Sequence, residues 1–315
     1  MQETDNRKIA IIGSGFVGSA SAFALMQSGL FSELVLVNRN QTRAQGEALD
    51  ISHGLPFAKP MKIYAGDYDD ITDAAVIVVT AGVGQKPGES RLDLVRNNIG
   101  VLRSVIPEIV RRDCGGILLI VTNPVDILTY AAVKLSGFSE NRVFGTGTVL
   151  DSARLKYLVG EHLNVDSRSV HSFIIGEHGD SEIAAWSSAN VSGVPLRRFC
   201  EMRGHYALEA DMRQIAEEVK NSAYEIIAKK EATYYGVAMV VKRVCEAIVR
   251  DEKSVFPVSC VQHGAYGIED VALSLPAIVG RNGVETLVPI ALNEDEQNAL
   301  RASAHTLKSV LRQVL

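Results

Sequence analysis

Short apolar runs and longer helical stripes alternate through the first half of the chain. Lys8 to Ile12 (KIAII), Glu33 to Val37 (ELVLV), Met61 to Ala65, Ala75 to Thr80 (AVIVVT) and Ile117 to Val121 (ILLIV) mark five strands. Most are apolar at nearly every position, as strands buried on both faces must be. The stretch SASAFALMQSGL predicts a helix closed by Gly29, and Arg43 to Ser52 predicts another. From about Asp93 a long helix carries Leu92, Val95, Ile99, Leu102, Ile106 and Ile109 on one face, with a kink expected at Pro107. Strands alternating with helices imply an α/β fold, a doubly wound parallel sheet, whose ligands bind at the carboxyl ends of its strands. Gly82, Asn123 and Gly145 all fall at such ends.

The second half reads differently. Val170, Phe173, Ile174 and Ile175 suggest a strand. Met212 to Ile227 is an apolar helix suited to a core or an interface. Val255 to Val261 and Asp270 to Val279 suggest antiparallel strands of a second, mixed α+β domain. The last helix starts at an Asn293 cap with Glu294, Asp295 and Glu296 in its first turn, and Leu300, Ala304, Leu307 and Leu311 form its apolar stripe. We divide the chain into residues 1–146 and 147–315, with a mobile lid at 81–92.

Composition narrows the picture. With 315 residues, 47% hydrophobic and 22% charged, the chain can build a full core. A net charge of −5 argues against nucleic acid as a partner. No apolar run approaches the ~18 residues of a membrane span, and MQETDNRK has no apolar segment of a secretory signal. The four cysteines, Cys114, Cys200, Cys245 and Cys260, form no CxxC and read as reduced thiols of a cytoplasmic protein, with no metal site.

Two stretches carry chemistry. GSGFVG, with Gly13, Gly15 and Gly18 around Phe16 and Val17, stands between the first strand and its helix. There Gly13 permits the turn, Gly15 lets a pyrophosphate approach the backbone, and Gly18 lets helix and strand pack closely. The helix N-terminus then offers free N–H groups to the phosphates of a dinucleotide. An acid at the end of the second strand normally grips the ribose of NAD; here stand Asn38 and Arg39. Asn38 no longer repels a 2′-phosphate and Arg39 can attract one, so tolerance of NADP is expected beside use of NAD. The other stretch, IIGEHGDSE, sets His178 between two glycines and two acids after a strand, a placement suited to proton transfer near neutral pH. The plain alternative is a solvated loop histidine.

GSGFVG, AGVGQKPGESRL, VTNPVD, GTVLDSARL, GEHGDSE and ATYYG, in this order and spacing, make the chain resemble the L-lactate/malate dehydrogenase family, in its details the bacterial L-lactate dehydrogenases. The resemblance runs from about Arg7 to the last helix. It implies His178 as general acid/base, Asp151 as the partner of its other ring nitrogen, and Arg154 as the two-pronged clamp on a substrate carboxylate. It implies that Arg91 polarises the substrate carbonyl from the lid. Asn123 would bond near substrate and nicotinamide, Thr233 and Val237 would line the pocket, and Gly82 would flank the cofactor. In the malate enzymes an arginine on the lid pairs with a second substrate carboxylate; here that position is Gln85, which favours pyruvate, the L-isomer of lactate following from the family. Glu89 would add repulsion if it faced the substrate. Many relatives respond to fructose 1,6-bisphosphate through an arginine and a histidine; here Lys156 and Ser188 (in WSSAN) imply weak or absent activation. A homotetramer is implied as well. The competing readings are a malate or other 2-hydroxy acid dehydrogenase, opposed by Gln85, and a non-catalytic NAD sensor, which has no use for Arg91, Asp151, Arg154 and His178 together.

Overall fold

The computed structural model describes residues 5–84 and 88–315. Gln85 thus lies outside the described residues. The first half runs β1 (Asp5–Ile12), α1 (Phe16–Ser28), β2 (Glu33–Val37), α2 (Gln41–Ser52), β3 (Lys62–Gly66), β4 (Ala74–Val79), α3 (Arg91–Val110), β5 (Ile117–Ile120), α4 (Val125–Ser136) and β6 (Val143–Gly145). These six strands are parallel, in the order β3-β2-β1-β4-β5-β6. The uninterrupted apolar runs have a direct cause: Ile9 and Ile11 enter the core on one face of the sheet while Ala10 and Ile12 enter the core on the other.

The second half continues with α5 (Val149–Leu163), β7 (Val170–His171), β8 (Ile174–Gly176), β9 (Glu182–Ala184), β10 (Asn190–Val191), β11 (Val194–Pro195), α6 (Leu196–Met202), α7 (Leu208–Lys230), α8 (Tyr235–Val249), β12 (Ser254–His263), β13 (Glu269–Gly280), β14 (Gly283–Leu287) and α9 (Glu294–Val314). The antiparallel strands β12 and β13 do not form a separate sheet. β12 joins the edge of β6 through the pair Ser259–Gly145, and β13, β8 and β9 follow, with β14 paired to β13, so one 11-stranded sheet crosses both halves of the chain. The strand expected across 170–175 is broken in two: β7 belongs to a small three-stranded sheet and β8 to the large one.

Helix boundaries follow their caps. α3 starts at Arg91, two residues before the expected Asp93, because Ser90 and Asp93 form a reciprocal capping box. The far end of the 81–92 segment is therefore helical. The helix continues through Pro107 to Val110. Asn293 and Glu296 build the same device at α9, where Leu300, Ala304, Leu307 and Leu311 are buried.

Candidate active site

The glycine loop opens a groove of ≈ 550 Å³ at the carboxyl end of the parallel strands, lined among others by Gly13, Gly15, Asn38, Arg39, Gly82 and Val105. Gly13 has φ +105°, and a Cβ there would lie 2.6 Å from the Ala81 nitrogen. A Cβ on Gly18 would lie 1.9 Å from the Gly13 carbonyl oxygen. Beside Gly15, in contrast, nothing comes within 4 Å, and α1 begins there with no side chain capping its N–H groups. Open space above free amides is the fit a pyrophosphate needs. Phe16 is exposed and stacks on Tyr234, ring centroids 5.5 Å apart, and Val17 is half-buried behind it. Asn38 donates to the Ser14 hydroxyl (2.5 Å) and accepts from the Asn40 amide (3.2 Å). Arg39 is exposed on the same rim as Arg43. Gly82 packs against Thr122, where a Cβ would come within 2.3 Å of its methyl group.

The second constellation is assembled by side chains from four elements. Ile174 donates its amide to the Ser152 hydroxyl (2.8 Å), and Thr148 donates to the Ile174 carbonyl (2.6 Å), which clamps the first turn of α5 to β8. Asp151 lies in that turn and His178 two residues beyond the strand, so clamping the elements aligns the pair. The His178 Nδ1 and Asp151 Oδ2 are 2.6 Å apart, and the Arg154 Nη1 donates to Asp151 Oδ1 over 2.8 Å. Asp151 is 2% exposed. Burial opposes its charge, but the His178 and Arg154 cations outweigh it and hold its carboxyl below the usual range. Burial also works against an imidazolium at His178; the Asp151 charge and hydrogen bond, then Asp126 and Glu182, raise it to about 9. With Nδ1 occupied, Nε2 is left as the nitrogen that exchanges a proton.

Other anticipated residues lie as follows. Arg91 is held by the acids flanking His178: its Nη1 bonds Asp180 (2.6 Å) and its Nη2 bonds Glu177 (2.9 Å). Tyr224 on α7 donates to the other oxygen of Asp180 (2.8 Å). Glu89 accepts from Asn97 on α3 (3.2 Å). Asn123 accepts from the Val125 amide at the start of α4 (3.3 Å), and its carbonyl is held by Asn98 (2.8 Å). Thr233 and Val237, before and on α8, are half-buried. Lys156 lies over the Phe173 ring, 5.8 Å from its centroid, and burial pulls its amine below the usual range. Ser188 donates to the Ala185 carbonyl (3.1 Å).

Two site residues were not anticipated. Asp126, in the VTNPVD stretch, is 2% exposed; it accepts the His178 main-chain N–H (2.7 Å) and the Ser259 hydroxyl (2.6 Å). Burial raises its carboxyl to about 6 against those bonds. It fixes the backbone of the histidine from a helix 52 positions away. Glu182 brings a carboxylate oxygen within 4.8 Å of both a carboxylate oxygen of Asp151 and a ring nitrogen of His178. An acid in TNPVD and another after GEHGDS were visible in the sequence; no spacing rule linked them to the imidazole.

A dinucleotide cradle on a parallel sheet, together with an imidazole–aspartate pair and a half-buried guanidinium, defines an NAD-linked dehydrogenase. The chain belongs to the lactate/malate dehydrogenase family: the NAD-binding domain model matches residues 7–145 and the alpha/beta C-terminal domain model matches residues 148–315. It is 51% identical over 306 residues to an L-lactate dehydrogenase of Acetivibrio thermocellus, covering 97% of this chain and 96% of that one. It is 52% identical over 307 residues to that of Thermoanaerobacterium saccharolyticum, covering 98% and 99%. The structure of a minor L-lactate dehydrogenase from Enterococcus mundtii in its ligands-bound form superposes with a TM-score of 0.95 at 43% identity, covering 98% and 99%.

Proposed function

We infer that the protein is an L-lactate dehydrogenase that interconverts pyruvate and L-lactate with NADH and NAD, the closing step of a lactic fermentation. The observation that carries this reading is the linked set Arg154–Asp151–His178. The nicotinamide cofactor, when bound, supplies or accepts the hydride. His178 gives its Nε2 proton to the oxygen that was the carbonyl, and takes it back in the reverse direction. Asp151 stays charged and stabilises the imidazolium. Arg154 anchors the substrate carboxylate by a planar two-pronged contact that lysine cannot reproduce. Arg91 leaves Glu177 and Asp180 to reach the carbonyl oxygen, where its charge meets the developing negative charge.

In the closed pocket Arg154, Arg91 and charged His178 face Asp151 and one substrate carboxylate, which Arg154 pairs; a second carboxylate opposite neutral Gln85 would be buried without a partner. This supports pyruvate over oxaloacetate. Mixing the protein and NADH with pyruvate, then with oxaloacetate, and following the near-ultraviolet absorbance of NADH tests the reading. Faster loss with oxaloacetate, or no loss with either, overturns it.

The finer assignments are proposals of the same kind. NAD is the main cofactor, with NADP tolerated because Asn38 is neutral and Arg39 and Arg43 share its rim. A preference for NADH of several hundredfold in kcat/KM would overturn the tolerance. The division near residue 146 is supported by the gap between the two family models, which end at residue 145 and resume at 148; residues 81–92 as the lid follow from the glycines and proline of that stretch. Lys156 is half-buried over Phe173 and Ser188 is turned to Ala185, which supports weak or absent activation by fructose 1,6-bisphosphate. A homotetramer is supported by exposed Phe23, Tyr235 and Met239 on α1 and α8, which pack together. A cytoplasmic location accords with four free, buried cysteines. No helix among the described residues is long and apolar enough to cross a membrane.

A further inference from the structure

Glu182 opens β9, and its partner across the ladder is Gly176, two residues before His178. Its carboxylate lies in one cluster with the imidazole and Asp151. Its Oε1 is buried and has no hydrogen-bond partner among the described residues. A carboxylate in that position is costly, whereas a carboxylic acid is not. Asp151 does not take the proton, because it already faces the two cations His178 and Arg154.

The surroundings can be counted. α5 presents Asp151 and Arg154, the histidine loop presents His178, and α7 presents Lys220 at longer range. β8 presents Gly176 and its apolar neighbours Ile174 and Ile175, and α9 reaches the adjacent Ser181 through the Ser303 hydroxyl. The loop acids Glu177 and Asp180 are paired with Arg91. α4 presents Asp126 to His178. Of the charges that act on Glu182, Asp151 repels its carboxylate, and charged His178, Arg154 and Lys220 attract it. An ionised Glu182 would set a further carboxylate in the pocket against the substrate carboxylate on Arg154.

We propose that Glu182 is a proton-holding residue of the substrate pocket: it carries a proton whenever the carboxylate of the 2-oxo acid sits on Arg154, and its ionisation, together with that of His178, ends substrate binding at alkaline pH. The proposal rests on Arg154 as the carboxylate anchor. Burial first, and the Asp151 charge next, raise Glu182 to about 8, so the acid is neutral below that pH and charged above it. When substrate binds above pH 8, Glu182 takes its proton from solvent.

The test is calorimetric binding of oxamate, a pyruvate analogue with one carboxylate, to the NADH-saturated enzyme between pH 6 and 10. It is run on the wild type, Glu182→Gln and Glu182→Asp, in buffers of different ionisation enthalpy. Each protein is compared with its own affinity at low pH, so a change in packing does not enter. In the wild type two protons are linked to binding, and the affinity should approach a loss of about a hundredfold per pH unit at the alkaline end. In Glu182→Gln the loss should fall to about tenfold per unit and begin nearer the His178 value, with roughly one proton fewer taken up. Glu182→Asp should restore the wild-type slope. An unchanged slope and proton count in Glu182→Gln would overturn the proposal. If that variant does not fold, uptake of a single proton by the wild type across pH 8–10 does the same. Absence of oxamate binding by the wild type at every pH would instead remove Arg154 as the anchor, and the proposal with it.

Discussion

The nucleotide groove and the proton-transfer centre are built on opposite principles. The groove is made of backbone: an open glycine, the bare start of a helix, and strand ends that a parallel sheet supplies. The centre is made of side chains with buried charge, and each one depends on another: Arg154 and His178 on Asp151, and the His178 amide on Asp126. A backbone site tolerates change at its edges and fails only where a Cβ blocks it. A side-chain site of coupled charges loses function with any member, because a buried group without its partner bears the full cost of desolvation.

That contrast can be broken by substitution. His178→Gln should lower kcat for pyruvate reduction by on the order of 10²–10⁴-fold while leaving NADH binding in place; near-normal turnover would remove the imidazole from the chemistry. Asp151→Asn should cost a similar order and also move the pH profile. His178 is raised in the wild type to about 9, so kcat at saturating pyruvate should hold below that pH and be lost above it; without Asp151 the loss should begin at lower pH, toward the ordinary histidine value. A profile that stays put would sink the pairing.

Gln85→Arg tests the charge count. It should shift the kcat/KM ratio from pyruvate toward oxaloacetate by on the order of a thousandfold, the scale of a newly paired buried carboxylate. An unchanged ratio means residue 85 does not meet the substrate. Two alanine substitutions then separate the roles within the groove. Gly13→Ala, at φ +105° and against the Ala81 backbone, should lower stability by about 2–3 kcal/mol in thermal or denaturant unfolding. Gly15→Ala should leave the melting temperature near the wild type and weaken NADH by roughly tenfold, as calorimetry would read. Equal behaviour of the two would erase the distinction between a glycine for folding and one for the ligand. Smallest is Asn38→Asp, expected to raise discrimination against NADPH by roughly tenfold, seen as a ratio of kcat/KM values.

The same contrast explains what could be read from residues alone. The strands, the doubly wound topology and the glycine loop announce themselves locally, since a continuous apolar run and a turn residue need no distant partner. His178, Asp151 and Arg154 were found through a resemblance spread over the chain, because spacing alone does not say that positions 27 apart meet. Asp126 and Glu182 escaped for that reason: each is an ordinary acid until the sheet brings α4 or β9 to the histidine loop. The merging of β12 and β13 with the parallel sheet escaped as well, since it turns on a ladder contact at Ser259 that no periodicity encodes. Arg91 was legible as a residue of interest, but its capture by Glu177 and Asp180 was not.

Ser259 stands across the ladder from Gly145, where the two halves of the chain meet, and its hydroxyl holds Asp126, which holds the histidine amide. The seam of the molecule and the aim of its acid are therefore one mechanical linkage. A slip between the halves would misdirect the imidazole before either half came apart, so heat should silence the enzyme no later than it melts the fold.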